Sequence, residues 1–364
     1  LWSRLDQLKP TGRLEALKLS WVWATPEAPS QLSVQAQGRQ LSWKALKPRR
    51  AGDGAVPGLQ GADVQLNLQP QGGDLELTMS SGVVDWPGLW DEPQVAIDRA
   101  QVAMNWTHTE SGLNVVMRPS SLTNGDAQVQ WQGSWRRDAT TSDWGHLDLT
   151  AHVPRALAHR VPRYLPSVLS PEVRGYLLQA LSGGRVSDGR IEVAGDLSRF
   201  PFAETSTGQS ERFAVQAKVT DLGWNFAPQA QLRQKPWPGF VRLNTKLSMQ
   251  GMSLGLSEGT AQLRGQSGLS MRQLEANIPN LRQAVLTVSG VGTGDLSGWL
   301  GVVNQTALEP LMGGAMAQTT GQGKAQLDLK LVLPLGALDQ TRVTGNLQLS
   351  QASLRLQPGL PAFQ

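Results

Sequence analysis

The chain has 364 residues, of which 17% are charged; 33 Lys and Arg stand against 29 Asp and Glu, beside 39 glycines, 22 prolines and no cysteine. A net charge of +4, spread along the whole chain, gives no nucleic-acid interface, and the lack of cysteine excludes both a disulfide scaffold and thiolate chemistry. Such a charge-poor, glycine- and proline-rich composition predicts strands and turns, arranged as two or three domains or as one elongated architecture.

Large apolar residues take every second position from the start. Leu17, Leu19, Trp21 and Trp23 alternate with Lys18 and Ser20, the period of a strand with one buried face. The same alternation predicts strands at Leu32-Val34-Ala36, Leu41-Trp43, Val64-Leu66-Leu68, Leu75-Leu77-Met79 and Val102-Met104-Trp106. It continues at Leu113-Val115-Met117, Val129-Trp131 and Leu147-Leu149-Ala151-Val153, with turn signals such as Gly72-Gly73-Asp74 and Asn124-Gly125-Asp126 between them. The basic run Lys44 to Arg50 contains a proline and reads as a solvated turn.

The stretch from Val153 to Phe202 breaks this rhythm. Ser170 as N-cap, Pro171 at the first helical position and Glu172 at the positive end of the dipole predict a helix. Its apolar face is Val173, Tyr176, Leu177, Ala180 and Leu181, and Gly183 and Gly184 are expected to end it. The chain then returns to strand and closes on Phe200-Pro201-Phe202, where Pro201 rules out a central strand.

Alternation resumes at Phe213-Val215-Ala217-Val219, Trp224-Phe226, Leu243-Thr245-Leu247-Met249, Leu254-Leu256 and Ala261-Leu263. It carries on through Leu286-Val288, Leu327-Leu329-Leu331-Leu333, Leu347-Leu349 and Leu354-Leu356. A second helix is expected from Asp295 as cap, with Leu296, Trp299, Leu300 and Val303 on one face and a stop near Glu309-Pro310. About twenty strands in one meander exceed what a flat open sheet tolerates, so the reading is a mainly β fold: an elongated antiparallel sheet curled into an open apolar groove with two short helical insertions. At ~4.8 Å per strand that ribbon would run roughly 90–100 Å. Its segments are 1–153, an N-terminal groove segment; 154–202, the helix-containing centre; and 203–364, a C-terminal groove segment with the short helix near 295–304.

Several motifs carry a family resemblance. Tyr164-Leu165-Pro166, Leu177-Leu178-Gln179-Ala180-Leu181, Gly184-Arg185-Val186, Gly195-Asp196-Leu197 and Phe200-Pro201-Phe202 resemble the central segment of the YhdP branch of the AsmA-like proteins. Further matches follow in family order: Leu8-Lys9-Pro10-Thr11-Gly12 with Leu19-Ser20-Trp21, Trp237-Pro238, Asp295-Leu296 with Trp299-Leu300, and Leu333-Pro334-Leu335 with Val343-Thr344-Gly345. The resemblance implies a bridge-like lipid transfer protein of the Gram-negative envelope. Such a protein is held in the inner membrane by an N-terminal helix, lies in the periplasm and carries phospholipids toward the outer membrane, with phospholipids, the inner membrane through that anchor, and the outer membrane or its proteins as partners. The chain begins at Leu1 with neither a signal peptide nor an apolar run of membrane-spanning length, so it is expected to be a fragment whose anchor lies outside it.

On this reading the groove is lined by Leu19, Trp21, Leu66, Leu77, Met104, Val115, Val129, Leu149, Val215, Leu247, Leu263, Val288, Leu329 and Leu349. Which strand face points inward follows from alternation alone, and an ordinary sandwich core is the competing reading. Tyr164, Leu165, Pro166, Phe200, Pro201 and Phe202 are expected to be structural. The 13 tryptophans divide between strand runs (Trp21, Trp23, Trp106, Trp131, Trp224), where they would fill space, and loops (Trp86, Trp90, Trp144), where a rim or surface role is open.

No constellation for catalysis emerges. His108, His146, His152 and His159 are the only histidines, none in an HExxH arrangement, and no metal or cofactor is expected. Gly290-Val291-Gly292-Thr293-Gly294-Asp295 lacks the spacing of a dinucleotide loop and reads as a flexible turn. Asp91-Glu92 stands isolated in a Trp-Pro loop. Non-enzymatic lipid transport is therefore the leading reading, with a passive β-rich scaffold or glycan-binding envelope protein as the alternative.

Overall fold

The computed structural model describes residues 7–22, 31–46, 56–140, 144–165, 171–202, 211–225, 228, 231–232, 235–283, 285–337, 340–358 and 361–363. The first strands are β1 (Thr11–Val22), β2 (Gln31–Trp43), β3 (Gly58–Gln69), β4 (Gly72–Asp85), β5 (Gln94–Ile97), β6 (Arg99–Thr109), β7 (Gly112–Thr123), β8 (Ala127–Asp138) and β9 (His146–Leu157). After a helix α1 (Pro171–Ala180) come β10 (Leu181–Asp196), β11 (Arg212–Asn225), β12 (Gln231–Leu232), β13 (Lys235–Pro236), β14 (Gly239–Gln250), β15 (Ser253–Leu263), β16 (Gln266–Ile278) and β17 (Val285–Asp295). Helices α2 (Leu296–Gln305) and α3 (Leu308–Leu311) precede β18 (Thr320–Pro334) and β19 (Arg342–Arg355). Seventeen of these strands belong to one antiparallel sheet that is not closed into a barrel, while β12 and β13 pair with each other. The architecture is thus mainly β and antiparallel with few short helices, as alternation predicts.

The chain divides into two compact units. The first comprises Leu1–Ala156, Arg163–Pro171 and Arg190–Phe213; the second comprises Leu157–Pro162, Glu172–Gly189 and Ala214–Gln364. In the first, β1 to β4 and β6 to β9 pair in sequence order, with β5 hydrogen-bonded to the far end of β4. In the second, β11 and β14 to β19 do the same.

What bends the strands is a device that recurs from one to the next. Gln40, Ser81, Asp188, Asp221, Arg242, Glu258, Gln273 and Gln351 all have positive φ, between 46° and 108°, in the middle of a strand. Each stands one residue before the apolar alternation restarts: Gly38 then Leu41, Met79 then Gly82, Phe240 then Leu243, Met271 then Leu274. The pairing shifts at the same places, as between Gly38 and Leu41 or Val219 and Leu222. These are β-bulges, in which one extra residue bends and twists the strand without moving the following side chains to the other face. A left-handed non-glycine residue costs about 1–2 kcal/mol. Polar neighbours take up the backbone donors that the bulges free: Asp63 Oδ1 accepts from Gln40 N at 2.8 Å, Ser120 Oγ from Ala103 N at 3.1 Å, and Asn244 Oδ1 from Asp221 N at 3.1 Å.

The bulges also explain where the sequence pattern misleads. Leu32-Val34-Ala36 and Leu41-Trp43 are two halves of the single strand β2, and Leu254-Leu256 and Ala261-Leu263 are two halves of β15. No strand is expected over 266–278, yet β16 lies there, its apolar set jumping from Leu269 and Met271 to Leu274, Ala276 and Ile278 across Gln273. The glycine run 290–294 is no turn but part of β17. Helix α1 starts at Pro171 as expected but ends at Ala180; Gly183 and Gly184 lie within β10 at φ 61° and 78°. Ser170, the expected N-cap, lies outside the described residues, as do Trp23, Pro166, Phe226 and the end of the basic run, 47–50. In α2 the buried residues are Leu296, Trp299 and Val302 rather than Val303, and Asp295 makes no side-chain cap; its Oδ1 accepts instead from Lys324 Nζ at 2.7 Å.

Gln273→Gly is expected to be more stable than Gln273→Ile by about 1–2 kcal/mol in urea unfolding, because glycine alone adopts φ 49° without steric cost. Equal midpoints would mean that the bulge is not held in the folded chain.

Candidate functional site

Register carries the apolar residues of each strand onto those of the next. In the first unit one row runs Leu19, Val34, Leu68, Gly73, Trp106, Val115, Trp135 and Leu147, crossing eight strands. The neighbouring row runs Leu17, Ala36, Leu66, Leu75, Met104, Met117, Gly133 and Leu149. Every member is apolar or glycine, and both rows lie on one face. A glycine is required at Gly73, where a Cβ would stand 2.6 Å from the Trp106 ring. The next row on the opposite face reads Lys18, Gln35, Asn67, Asp74, Asn105, Val116, Ser134 and Asp148, polar in all but one position.

Exposed ion pairs sit on that polar face, including Arg39 with Glu15 at 3.0 Å and Asp63 at 3.2 Å, and Arg118 with Glu76 at 3.0 Å. Surface pairs of this kind contribute roughly 0–1 kcal/mol each, so the sheet rests on its packing. Beyond the bulges the apolar face closes into a small core of Leu59, Ala62, Leu77, Met79, Val95, Ile97 and Ala100. Tyr164 closes this end. Its hydroxyl donates to Asp126 Oδ2 at 2.8 Å and accepts from the buried Asn124 at 2.9 Å, its carbonyl accepts from Trp90 Nε1, and its ring meets Trp90 edge-on at 6.2 Å. Burial, then the bond to Asp126, raises the Tyr164 pKa above 10.0, so the phenol stays protonated and serves as a clamp.

In the second unit the corresponding row is Ala217, Leu247, Leu256, Ala276, Val288, Leu331 and Val343. Here much of the face is a closed core, which takes in Leu243, Leu274, Ala276, Leu286, Val288, Leu331 and Leu333. Helix α2 lies on its far end: a Cβ at Gly292 would come within 2.4 Å of the Trp299 ring, and one at Gly321 within 2.4 Å of Leu296. The glycines of β17 and β18 therefore make room for a helix.

The fourteen positions named from alternation fall into three environments. Leu77, Leu263 and Val288 are buried in the cores. Leu66, Met104, Val115, Val129, Leu149, Val215, Leu247 and Leu329 are half-buried along the apolar face. Leu19, Trp21 and Leu349 are exposed on β1 and β19. Of the structural motif, Phe202 is buried, with its ring over Gly195 and edge-on to Phe200, whose ring also meets Phe213 at 4.9 Å; Leu165 is half-buried and Pro201 follows a cis peptide. Alternation continued one step further reaches His108 and Arg137, which with Leu113 form the outermost row of the same face.

The four histidines lie apart on β6, β9 and the 3-10 helix after β9 (Ala158–Tyr164), and His159 Nδ1 stands 3.3 Å from Gly183 O. Among the described residues no three His, Asp or Glu side chains come together, and no helix is long and apolar enough to cross a membrane. The depressed pKa of Asp196 comes from Ser198, whose backbone N–H and hydroxyl both donate to its carboxylate, which makes it a local cap.

A protein-family model described as "YhdP protein" matches residues 1–364. No curated protein and no solved structure matches the chain.

Tyr164→Phe is expected to lower stability by about 1–2 kcal/mol in chemical unfolding, since it leaves Asn124 and Asp126 without their shared partner. An unchanged midpoint would show that the clamp carries no weight. Gly292→Ala is expected to cost about 1–3 kcal/mol and to speed hydrogen exchange in α2 as its Cβ meets Trp299; unchanged exchange would mean that α2 does not rest on β17.

Proposed function

The chain belongs to the YhdP family, and from that membership we propose that its apolar face shields the acyl chains of phospholipids as they move between the inner and outer membranes through the periplasm. The observation that carries this reading is the pair of unbroken apolar rows across eight strands of the first unit, half-open to solvent, with a polar face behind them. Their length, about 34 Å at ~4.8 Å per strand, is roughly twice the ~15 Å depth of one bilayer leaflet's hydrocarbon.

Exposing a sixteen-carbon tail to water costs on the order of 12 kcal/mol at ~0.8 kcal/mol per CH₂. A surface of Leu, Val, Met and Trp cancels most of that cost without any covalent step, and similar side chains from strand to strand leave no deep trap along the path. Function of this kind is not enzymatic and needs no cofactor. Direction would come from outside the groove, because a uniform surface has no preferred sense.

A glycan-binding or scaffold role is the second reading. It is favoured by the open indoles of Trp21 and Trp144, 58% and 67% exposed, which could stack on sugar rings.

Purified chain is expected to carry phospholipid detectable by mass spectrometry of the extract, and Met104→Asp with Leu66→Asp is expected to lower the recovered lipid at least fivefold while circular dichroism keeps its β signature, a charge at the face costing well over 1 kcal/mol. Lipid recovery unchanged by both charges would overturn the reading, as would glycan binding by a lipid-free protein.

A further inference from the structure

At the turn ends of β6 to β9 the apolar face of the first unit finishes in a different chemistry. Trp106, Val115, Trp135 and Leu147 form the outer apolar row there. One step further out on the same face stand His108, Leu113 and Arg137, in register across β6, β7 and β8. His108 and Arg137 are exposed, whereas Trp106, Leu113 and Trp135 are half-buried. The Arg137 guanidinium lies 5.8 Å from the centre of the Trp135 ring, and the Trp135 indole N–H donates to the carbonyl of Trp144 at 2.9 Å. Trp144 itself is 67% exposed beside them.

From this juxtaposition we propose that the rim formed by His108, Arg137, Trp106 and Trp135 is where the phosphate of a phospholipid headgroup is held while its tails lie on the apolar rows. The inference rests on the lipid-shielding reading and adds to it a polar contact and a lipid feature that is recognised. Indole rings favour the boundary between hydrocarbon and water, so the tryptophan row fixes the depth at which a headgroup emerges. Backbones of β6 and β8 lie two strand spacings apart, about 10 Å, with Leu113 between. A phosphate placed over Leu113 would lie one strand spacing, about 5 Å, from each of these two backbones. Arg137, its guanidinium 5.8 Å from the centre of the Trp135 ring, carries a planar fork suited to two phosphate oxygens. Among the described residues the acidic groups at this end include Glu110, in the turn between β6 and β7; Asp74, Asp138 and Asp148, on the opposite face by register; and Asp196, near His146 and followed by Leu197, whose N–H donates to Gly145 O at 2.9 Å. Arg136 and His146, on that opposite face, are register partners across β8 and β9, and Arg136 serves as the control.

The test compares phosphatidic acid with diacylglycerol of identical tails, presented to the full 364-residue chain, and reads displacement of a fluorescent fatty acid. Wild type is expected to prefer phosphatidic acid about tenfold, and His108→Gln with Arg137→Gln to reduce that preference to about twofold or less. Arg137→Lys should retain part of it, and Arg136→Gln all of it. Affinity for diacylglycerol should be the same in every variant, which separates loss of the headgroup site from loss of the tail surface. A preference that survives in the double variant, or is absent from wild type that still binds diacylglycerol, overturns the proposal. So does a preference abolished by millimolar inorganic phosphate, which would make the rim a site for the free anion. If no lipid displaces the probe from wild type, the lipid-shielding reading itself falls.

Discussion

Everything in this structure depends on keeping one face of each strand apolar across a bend. A strand that gains a residue ordinarily turns all its later side chains to the other face; here the extra residue is taken up in a left-handed bulge, so the apolar set resumes on the side it left. Because the same device recurs at Gln40, Ser81, Asp188, Asp221, Arg242, Glu258, Gln273 and Gln351, the bend and the continuity of the face have one cause. Asp63 and Asn244 supply the acceptors for the backbone N–H groups of Gln40 and Asp221. Burial of apolar rows provides the driving force, and the bulges decide the form in which it is spent.

The two units use that face differently. In the first, the rows stay half-open, and closure is confined to the end held by Tyr164, Asn124 and Asp126. In the second, a larger core and α2 occupy much of the equivalent surface. A charge introduced at Met104 would therefore meet a surface with access to water, whereas one at Val288 would sit in a dry interior and cost folding itself. That contrast makes the first unit the better place to probe function.

Much of this was legible in the sequence because alternation is a local signal. Leu75-Leu77-Met79 or Leu113-Val115-Met117 names both a strand and its buried side, and the family resemblance, seen in motifs such as Tyr164-Leu165-Pro166, agrees with a family match over the whole chain. What alternation cannot show is pairing. It splits β2 and β15 at their bulges, passes over β16, and reads the glycines of β17 as a turn when they are the clearance beneath Trp299. Nor does it separate a half-open position such as Leu66 from a packed one such as Leu263, because that depends on what α2 and the neighbouring strands cover. Alternation does not place His108 and Arg137 on the apolar face for a related reason: a polar residue at the end of an apolar run looks like the end of the strand, and only the register shows it on the same face.

The most direct measurement is a residue-by-residue photo-crosslinking scan along β6 and β7 in cells, with lipid attached to the chain as the readout. Lipid is expected at Val102, Met104, Trp106, Val115 and Met117 and not at Asn105, Asn114 or Val116, a two-residue period that follows the apolar face. Val116 is the sharpest position, being apolar but on the polar side. Adducts of equal strength on both faces, or none on either, would contradict the account.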